Sequence, residues 1–204
     1  MPTTLVTLPR RRGLVLADLF PEVLARDAAI VCGAACFVGL LAQVSIPLSW
    51  TPVPITGQTL GVVLAGSALG MRRGFAALAL YAAAGLAGVP WFAGHASGWP
   101  GGLFGYVVGF VFAAAVCGLL AERRADRKVK SAIGAILVGD AIIFAVGVPW
   151  LAASYHFSAA EAIGKGLVPF LAGEGIKIAL AAGLLPTAWK VVGGAARKPN
   201  LPRP

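Results

Sequence analysis

Residues 103–148 read LFGYVVGFVFAAAVCGLLAERRADRKVKSAIGAILVGDAIIFAVGV, and their pattern indicates the fold class. An uncharged apolar run, 103–121, is followed by a short segment with five basic residues and then by a second apolar run, 132–148. A helix needs about 20 apolar residues, with a range near 17–25, to cross the hydrocarbon core of a bilayer. Neither run alternates as the strands of an outer-membrane barrel do. The stretch therefore predicts two transmembrane helices joined by a basic loop.

The composition extends this interpretation to the whole chain. Of the 204 residues, 58% are hydrophobic and only 12% are charged, and the mean hydropathy is +0.84. Soluble globular domains carry about 25% charged residues. This composition argues against a disordered chain, a disulfide scaffold and a soluble fold. We expect a single integral membrane domain over residues 1–204.

Six apolar segments can be marked along the chain. The predicted spans cover residues 28–46, 55–69, 75–89, 103–121, 132–148 and 167–192. The second and third segments are short, so each is expected to be tilted, buried or partly re-entrant. The predicted fold class is an all-α membrane protein with six transmembrane helices.

Basic residues cluster between alternate spans. All but two of the 17 Lys and Arg residues lie before the first span, between the second and third, between the fourth and fifth, or from the last three residues of the sixth onward. Six spans place these four clusters on one face, which the positive-inside rule makes cytoplasmic. We therefore expect both termini inside the cell, with a lead-in over residues 1–27 and a tail over 193–204. The net charge of +9 then reflects orientation in the plasma membrane and not a nucleic-acid partner.

The predicted outer face carries three loops, 47–54, 90–102 and 149–166, which are rich in Pro, Gly and aromatic residues. Residues 90–102, the lid loop, are apolar yet irregular in pattern. Backbone without regular hydrogen bonds is tolerated at membrane depth only where it is buried in protein or lines a cavity. The lid loop is therefore expected to cover an outward-facing pocket, although a plain connector is the alternative.

Three charged residues lie inside predicted spans, where each costs at least about 2.5–3.5 kcal/mol on insertion scales. Glu174 and Lys177 are three residues apart, so they share one face of a helix. They suit a small polar ligand with both donors and acceptors, or else form an internal ion pair. Asp140 is a candidate ligand contact, proton site or helix–helix hydrogen bond.

Other polar residues allow two interpretations. Gln58 and Thr59 lie near the outer start of the second segment and are candidates either for ligand contact or for capping and interhelical hydrogen bonds. His95 lies in the lid loop, where a solvated side chain is the plainer interpretation.

Three motifs that mark nucleotide-binding or catalytic sites are absent from the sequence. It contains no Gly-x-x-x-x-Gly-Lys-Ser/Thr phosphate loop, no Gly-x-Ser-x-Gly elbow and no His-Glu-x-x-His pair. Cys32, Cys36 and Cys117 lie in apolar stretches without His or carboxylate at metal-ligand spacing. We expect no catalytic residues, no metal, no cofactor and no ATPase site of its own.

Several motifs occur in an order that resembles the BioY biotin-transporter family. They are WTPVPITGQTLG at 50–61, LGMRRG at 69–74, PWFAG at 90–94, GYVVGF at 105–110, GVPWLA at 147–152 and PFLAGEGIK at 169–177. The resemblance covers about residues 47–185. It implies the substrate-binding S component of an energy-coupling-factor (ECF) vitamin importer, with six membrane helices.

The resemblance also implies partners. Such S components capture biotin from outside and work in the membrane with a coupling (T) subunit and a pair of cytoplasmic ATPases. Small residues near the cytoplasmic end of the first helix form the docking surface in such systems. Ala25 and Ala29 match that pattern by position.

The binding site implied by the resemblance centres on an acidic residue followed three positions later by Lys. Glu174 and Lys177 occupy these positions, with Glu where Asp is usual. Glu174 is expected to accept from the ureido N–H groups of biotin, and Lys177 to meet the ureido carbonyl or orient Glu174. Gln58 is a further expected contact.

The aromatic residues of this region are expected to form the walls for the apolar ring of the ligand: Trp91, Phe92 and Tyr106. Two features depart from the family. Residues 102–106 read GLFGY in place of Pro-Thr/Ser-Gly-Gly-Tyr, and the lid loop is short and lacks a basic or amide side chain for the biotin carboxylate. We expect His95, Ser97 or backbone N–H groups to serve instead.

Two alternatives remain open at this point. One is a related S component for another vitamin or a biotin analogue, prompted by the short lid loop and by Glu174. The other is a membrane scaffold or enzyme whose polar residues are only structural.

Overall fold

A computed structural model describes residues 15–19 and 24–195, and these residues are almost entirely helical. The helices are α1 (Leu24–Gln43), α2 (Gln58–Leu69), α3 (Met71–Leu86), α4 (Phe104–Glu122), α5 (Val129–Tyr155), α6 (Ala159–Gly166) and α7 (Val168–Ala195). A two-residue antiparallel pairing joins β1 (Ser45–Ile46) to β2 (Ile55–Thr56). Short 3₁₀ turns occupy Leu16–Leu19, Ala93–His95, Gly101–Leu103 and Ala125–Arg127.

Each of the six predicted segments corresponds to a helix, with α6 as an addition. Within the described part of the chain, three helices are long and apolar enough to cross a membrane: Ala25–Gln43, Gly101–Glu122 and Val129–Tyr155. A fourth span results if the bent pair Ala159–Leu171 and Gly173–Val191, at 46° to one another, is counted as one. The expectation of a short second segment agrees with α2, which has 12 residues.

The third outer loop was predicted too long. The structure extends α5 to Tyr155 with Pro149 inside the helix, and it forms α6 within residues 149–166. Ser158 caps α6, because its side chain accepts from the Glu161 N–H while the Glu161 carboxylate accepts from the Ser158 N–H. This capping box stabilises a helix that hydropathy alone does not indicate.

The basic connection between the second and third spans is also shorter than predicted. Arg72 and Arg73 lie in the first turn of α3, and a single residue, Gly70 at φ +84°, separates α2 from α3. Such a positive φ costs glycine little. At this end Arg73 pairs with Asp18 at 2.6 Å and with Asp27 at 3.0 Å, which ties the first 3₁₀ turn and α1 to α3.

The core forms around α4, which packs against α2, α3 and α5. Small residues allow this contact, as their spacing in the sequence predicts. A Cβ on Gly66 of α2 would lie 2.4 Å from the Ala114 carbonyl oxygen of α4, and one on Gly109 would lie 3.0 Å from Ile143 of α5. The backbones therefore meet directly, and α2 is buried on most sides.

The structure describes only part of the two expected cytoplasmic ends. The lead-in over 1–27 is described at residues 15–19 and 24–27, where Val15 is buried against Ala121. The rest of the lead-in and residues 196–204 of the tail lie outside the described residues.

Candidate functional site

A cavity lies between the start of α2, the lid loop, α4, α5 and the start of α7. It encloses about 700 Å³, including the part open to solvent. Its polar lining gathers at one end, and apolar and aromatic groups form the rest. The residues around it are Val53, Pro54, Thr56, Gln58, Thr59, Phe92, Ala93, Ala96, Pro100, Leu103, Tyr106, Val107, Phe110, Ile143, Phe144, Phe170, Glu174 and Lys177.

The polar end is built on Glu174, Lys177 and Thr59. Lys177 Nζ donates to Glu174 Oε1 at 2.8 Å and to Thr59 Oγ1 at 2.9 Å. The Thr59 hydroxyl contacts the same carboxylate at 3.0 Å from Oε1 and 3.3 Å from Oε2. Glu174 is only 5% exposed, so its charge is balanced by Lys177 and not by water. The acidic and basic groups predicted from the sequence are therefore adjacent and face the cavity.

Local helix structure explains why these three residues meet. Glu174 and Lys177 are three residues apart on α7, just beyond the 46° bend that precedes Gly173. Thr59 is the second residue of α2, whose start lies beside β2. The bend and the short α2 bring the two helix segments together at the depth of the cavity.

Gln58 is buried at the first position of α2 and is held by two neighbours. Its Oε1 accepts from the Thr56 hydroxyl at 2.9 Å, and its Nε2 donates to the Tyr81 hydroxyl at 2.8 Å. The side chain therefore presents a fixed amide to the cavity. The interhelical hydrogen bond expected of Gln58 is present, and the residue also lines the cavity. Contact of Gln58 with a ligand stays a prediction.

Phe92 and Tyr106 form walls of the cavity, as expected. Phe92 is 3% exposed, and its ring meets Tyr81 edge-on at 5.4 Å between centroids. The Tyr106 hydroxyl donates to the Gly166 carbonyl at 2.8 Å, which fixes the ring between α4 and the end of α6.

Trp91 does not line the cavity, contrary to expectation. Its ring stacks on Tyr81 at 5.2 Å, and its Nε1 donates to the Tyr81 carbonyl at 3.0 Å. The Trp91 carbonyl in turn accepts from the Tyr81 hydroxyl at 3.1 Å. Because these bonds direct the indole toward α3, Trp91 anchors the lid loop from outside the cavity.

His95 and Ser97 are also not among the lining residues. His95 is exposed at φ +62°, and its N–H donates to Gln43 Oε1 at 3.0 Å. Gln43, at the end of α1, donates through Nε2 to the carbonyls of Trp91 at 3.2 Å and Phe92 at 3.3 Å. The lid loop is thus held by Gln43, and His95 is exposed outside the set of lining residues.

Sequence reasoning left several lining residues out of the site. Thr59 was recognised as polar, but its bridge between Glu174 and Lys177 depends on α2 meeting α7. The walls from α5 and α7, Ile143, Phe144 and Phe170, are ordinary apolar residues of a span. Their types carry no signal, because a lipid-facing position uses the same residues.

The electrostatics restrict what the cavity can hold. Among its described lining residues the charged ones are Glu174 and Lys177, which pair with one another. The polar end offers carboxylate acceptors and ammonium, hydroxyl and amide donors, and the remainder offers aromatic and aliphatic contact. The arrangement fits a small, uncharged polar head on an apolar body.

The predicted docking residues lie elsewhere. Ala25 and Ala29 are exposed near the start of α1, at the opposite end of that helix from Gln43 and the lid loop. Neither residue lines the cavity.

Comparisons with known proteins place the chain in a family. The BioY family model matches residues 11–194. A biotin transporter BioY of Rhizobium etli is 33% identical over 84% of this chain and 89% of its own length. One from Thermotoga maritima is 38% identical over 84% of this chain and 92% of its own length.

A solved structure matches the fold. It is the crystal structure of the S component for biotin from an ECF-type ABC transporter, with a TM-score of 0.73, 23% identity, and coverage of 83% of this chain and 95% of that chain. The all-α membrane fold and the family resemblance predicted from the sequence are thereby confirmed.

Proposed function

The chain belongs to the BioY family, and on that premise we propose that it is the biotin-binding membrane subunit of an ATP-driven vitamin importer. In this role it captures biotin at the outer face of the cell membrane and delivers it inward. The observation that carries the proposal is the cavity whose one polar end holds Glu174, Lys177 and Thr59 within hydrogen-bond distance of one another.

The polar end matches the ureido group of biotin, which has two N–H donors and one carbonyl acceptor. Glu174 Oε1 already accepts from Lys177 and Thr59, whereas Oε2 has only the longer contact to Thr59 at 3.3 Å. A carboxylate offers about four lone-pair sites, so Glu174 retains acceptor capacity for the ureido N–H groups. Lys177 has three N–H donors and uses two, which leaves one for the ureido carbonyl.

The apolar walls match the bicyclic ring of biotin. Phe92 and Tyr106 lie on opposite elements of the cavity and are fixed by their own packing and hydrogen bond. Fixed aromatic walls lower the entropic cost of binding, because few rotamers are lost when the ligand enters. Gln58 completes the polar end with its held amide.

The carboxylate tail of biotin requires a different placement from the one the sequence suggested. His95 does not line the cavity, so we assign the tail to the mouth beside Ala93, Ala96 and Pro100 of the lid loop. Water and backbone groups at this mouth are the proposed partners of the carboxylate.

Transport requires further subunits in this proposal. A membrane coupling subunit docks on the exposed Ala25 and Ala29 of α1, and a pair of cytoplasmic ATPases supplies the energy. The chain itself acts as a transport subunit and not as an enzyme.

Equilibrium binding of labelled biotin to the detergent-purified chain tests the proposal. Saturable binding that excess unlabelled biotin displaces and excess thiamine does not is the expected result. Binding displaced by thiamine, or absence of binding by a folded protein, would overturn it and favour a related S component for another vitamin.

A further inference from the structure

Asp140 is a second buried carboxylate beside the polar end of the cavity, and the proposed binding of biotin does not use it. It lies in the middle of α5 and is 7% exposed. Its Oδ2 has no hydrogen-bond partner among residues 15–19 and 24–195. Buried polar groups are nearly always hydrogen-bonded, so an unpartnered carboxylate oxygen calls for a functional explanation.

A narrow gap connects Asp140 to the Glu174–Lys177 pair. The gap encloses about 150 Å³. It is lined by Thr59, Leu60, Val63, Ile136, Asp140, Glu174, Lys177 and Ala181. Asp140 also interacts electrostatically with both Glu174 and Lys177. Lys177 therefore borders the same gap as two carboxylates and is hydrogen-bonded to one of them.

Few other charges compete for Asp140. Asp140 itself acts electrostatically on Cys117 of α4, a neutral thiol that is fully buried and donates to the Ala135 carbonyl at 3.6 Å. From α2 the gap receives Thr59, which does not titrate. Within the described residues, Lys177 is the cation placed to pair with Asp140.

We propose that Asp140 is a positioning residue that receives Lys177 when a ligand occupies Glu174. In the structure Lys177 Nζ and the Thr59 hydroxyl share Glu174 Oε1. A ligand N–H that binds at Oε1 shares this oxygen with Lys177 and the Thr59 hydroxyl, and each added donor weakens the hold of the oxygen on Lys177. Asp140 then supplies the second acceptor, so that the ammonium stays paired while Glu174 turns to the ligand. This inference rests on the proposed function, because the N–H donors are those of the ureido group.

Three variants test the role of Asp140 by its charge. Asp140→Asn keeps the shape but removes the charge, and we expect labelled biotin to bind about tenfold more weakly. Asp140→Glu keeps the carboxylate charge on a side chain one methylene longer, so we expect affinity within about threefold of the parent chain. Asp126→Asn, a buried Asp outside the cavity that contacts Trp189 and Arg127, is the control and should leave affinity unchanged.

The melting temperature of the ligand-free variants separates positioning from a structural role. Removing an unpartnered buried charge is not expected to destabilise the fold, so Asp140→Asn should melt no lower than the parent chain. Unchanged affinity in Asp140→Asn, equal losses in the Asn and Glu variants, or a parallel fall of affinity and melting temperature would overturn the inference. Failure of the parent chain itself to bind biotin would instead refute the proposed function.

Discussion

Glu174 is a buried carboxylate whose hydrogen-bond acceptor sites are only partly used. It is 5% exposed and is paired with Lys177 at 2.8 Å, with the Thr59 hydroxyl joining the two. A buried ion pair is a weak source of stability, since desolvation offsets much of the attraction. Its value here is that the acceptor is oriented before the ligand arrives, and pre-oriented groups bind at lower cost.

Removal of the Glu174 carboxylate tests its part in binding. We expect Glu174→Ala to weaken biotin binding by about 1.5–3 kcal/mol, the range for a hydrogen bond to a charged group. The measurement is equilibrium binding in detergent. Glu161→Gln removes an exposed carboxylate charge of α6 that does not line the cavity, while the glutamine keeps the capping box, and it should bind as the parent does. Equal affinities for a folded Glu174→Ala variant and the parent would exclude this role.

At the scale of elements, small residues at the contacts of α4 allow its neighbouring helices to pack closely against it. Gly66 and Gly74 meet the Ala114 backbone, and Gly109 meets Ile143. Because α2 and α4 are this close, the first residues of α2 lie at the cavity, between α4 and α7. The position of Thr59 beside α7 is therefore a consequence of helix packing.

The packing claim predicts opposite effects of two Gly→Ala changes. Gly66→Ala places a methyl 2.4 Å from the Ala114 carbonyl oxygen, and we expect a loss of about 1–3 kcal/mol in the free energy of unfolding. Gly134→Ala lies in α5 with no atom within 4 Å of its added Cβ, and it should gain about 0.5–1 kcal/mol from helix propensity. Denaturant unfolding of the purified chains measures both. A Gly66→Ala variant as stable as the parent would show that α2 and α4 stand further apart.

The ligand cavity lies at one end of the molecule, and a group of ion pairs joins the helices at the other end. The cavity and lid loop lie at the end of α1 and the starts of α2 and α4, whereas Arg73 joins Asp18 and Asp27 at the starts of α3 and α1. Ala25 and Ala29 are exposed at this second end. Capture and partner docking therefore use different surfaces in the proposed importer.

This separation predicts variants that lose assembly but keep binding. We expect Ala25→Trp or Ala29→Trp to bind biotin with unchanged affinity, because neither residue lines the cavity. The bulky indole should block close helix contact and prevent co-purification with the coupling subunit. A normal complex isolated with either variant would contradict docking at this surface.

Much of this architecture could be predicted from the sequence, because a bilayer imposes long apolar segments and makes intramembrane charges conspicuous. The same physics identified Glu174 and Lys177. The inward faces of irregular segments could not be predicted. For this reason Trp91 and His95 were assigned to the cavity, although neither lines it: the Trp91 indole bonds to the Tyr81 carbonyl, and His95 is exposed. Helix α6 was missed because a capping box, and not hydropathy, defines it.

A structure of the chain with biotin bound tests the central claim most directly, because it measures the distance between the ureido nitrogens and the Glu174 carboxylate. The account predicts an N···O distance of about 2.7–3.2 Å, with the ring against Phe92 and Tyr106. Biotin bound outside this cavity, or with its carboxylate tail at Lys177 and its ureido group at the lid loop, would contradict the account.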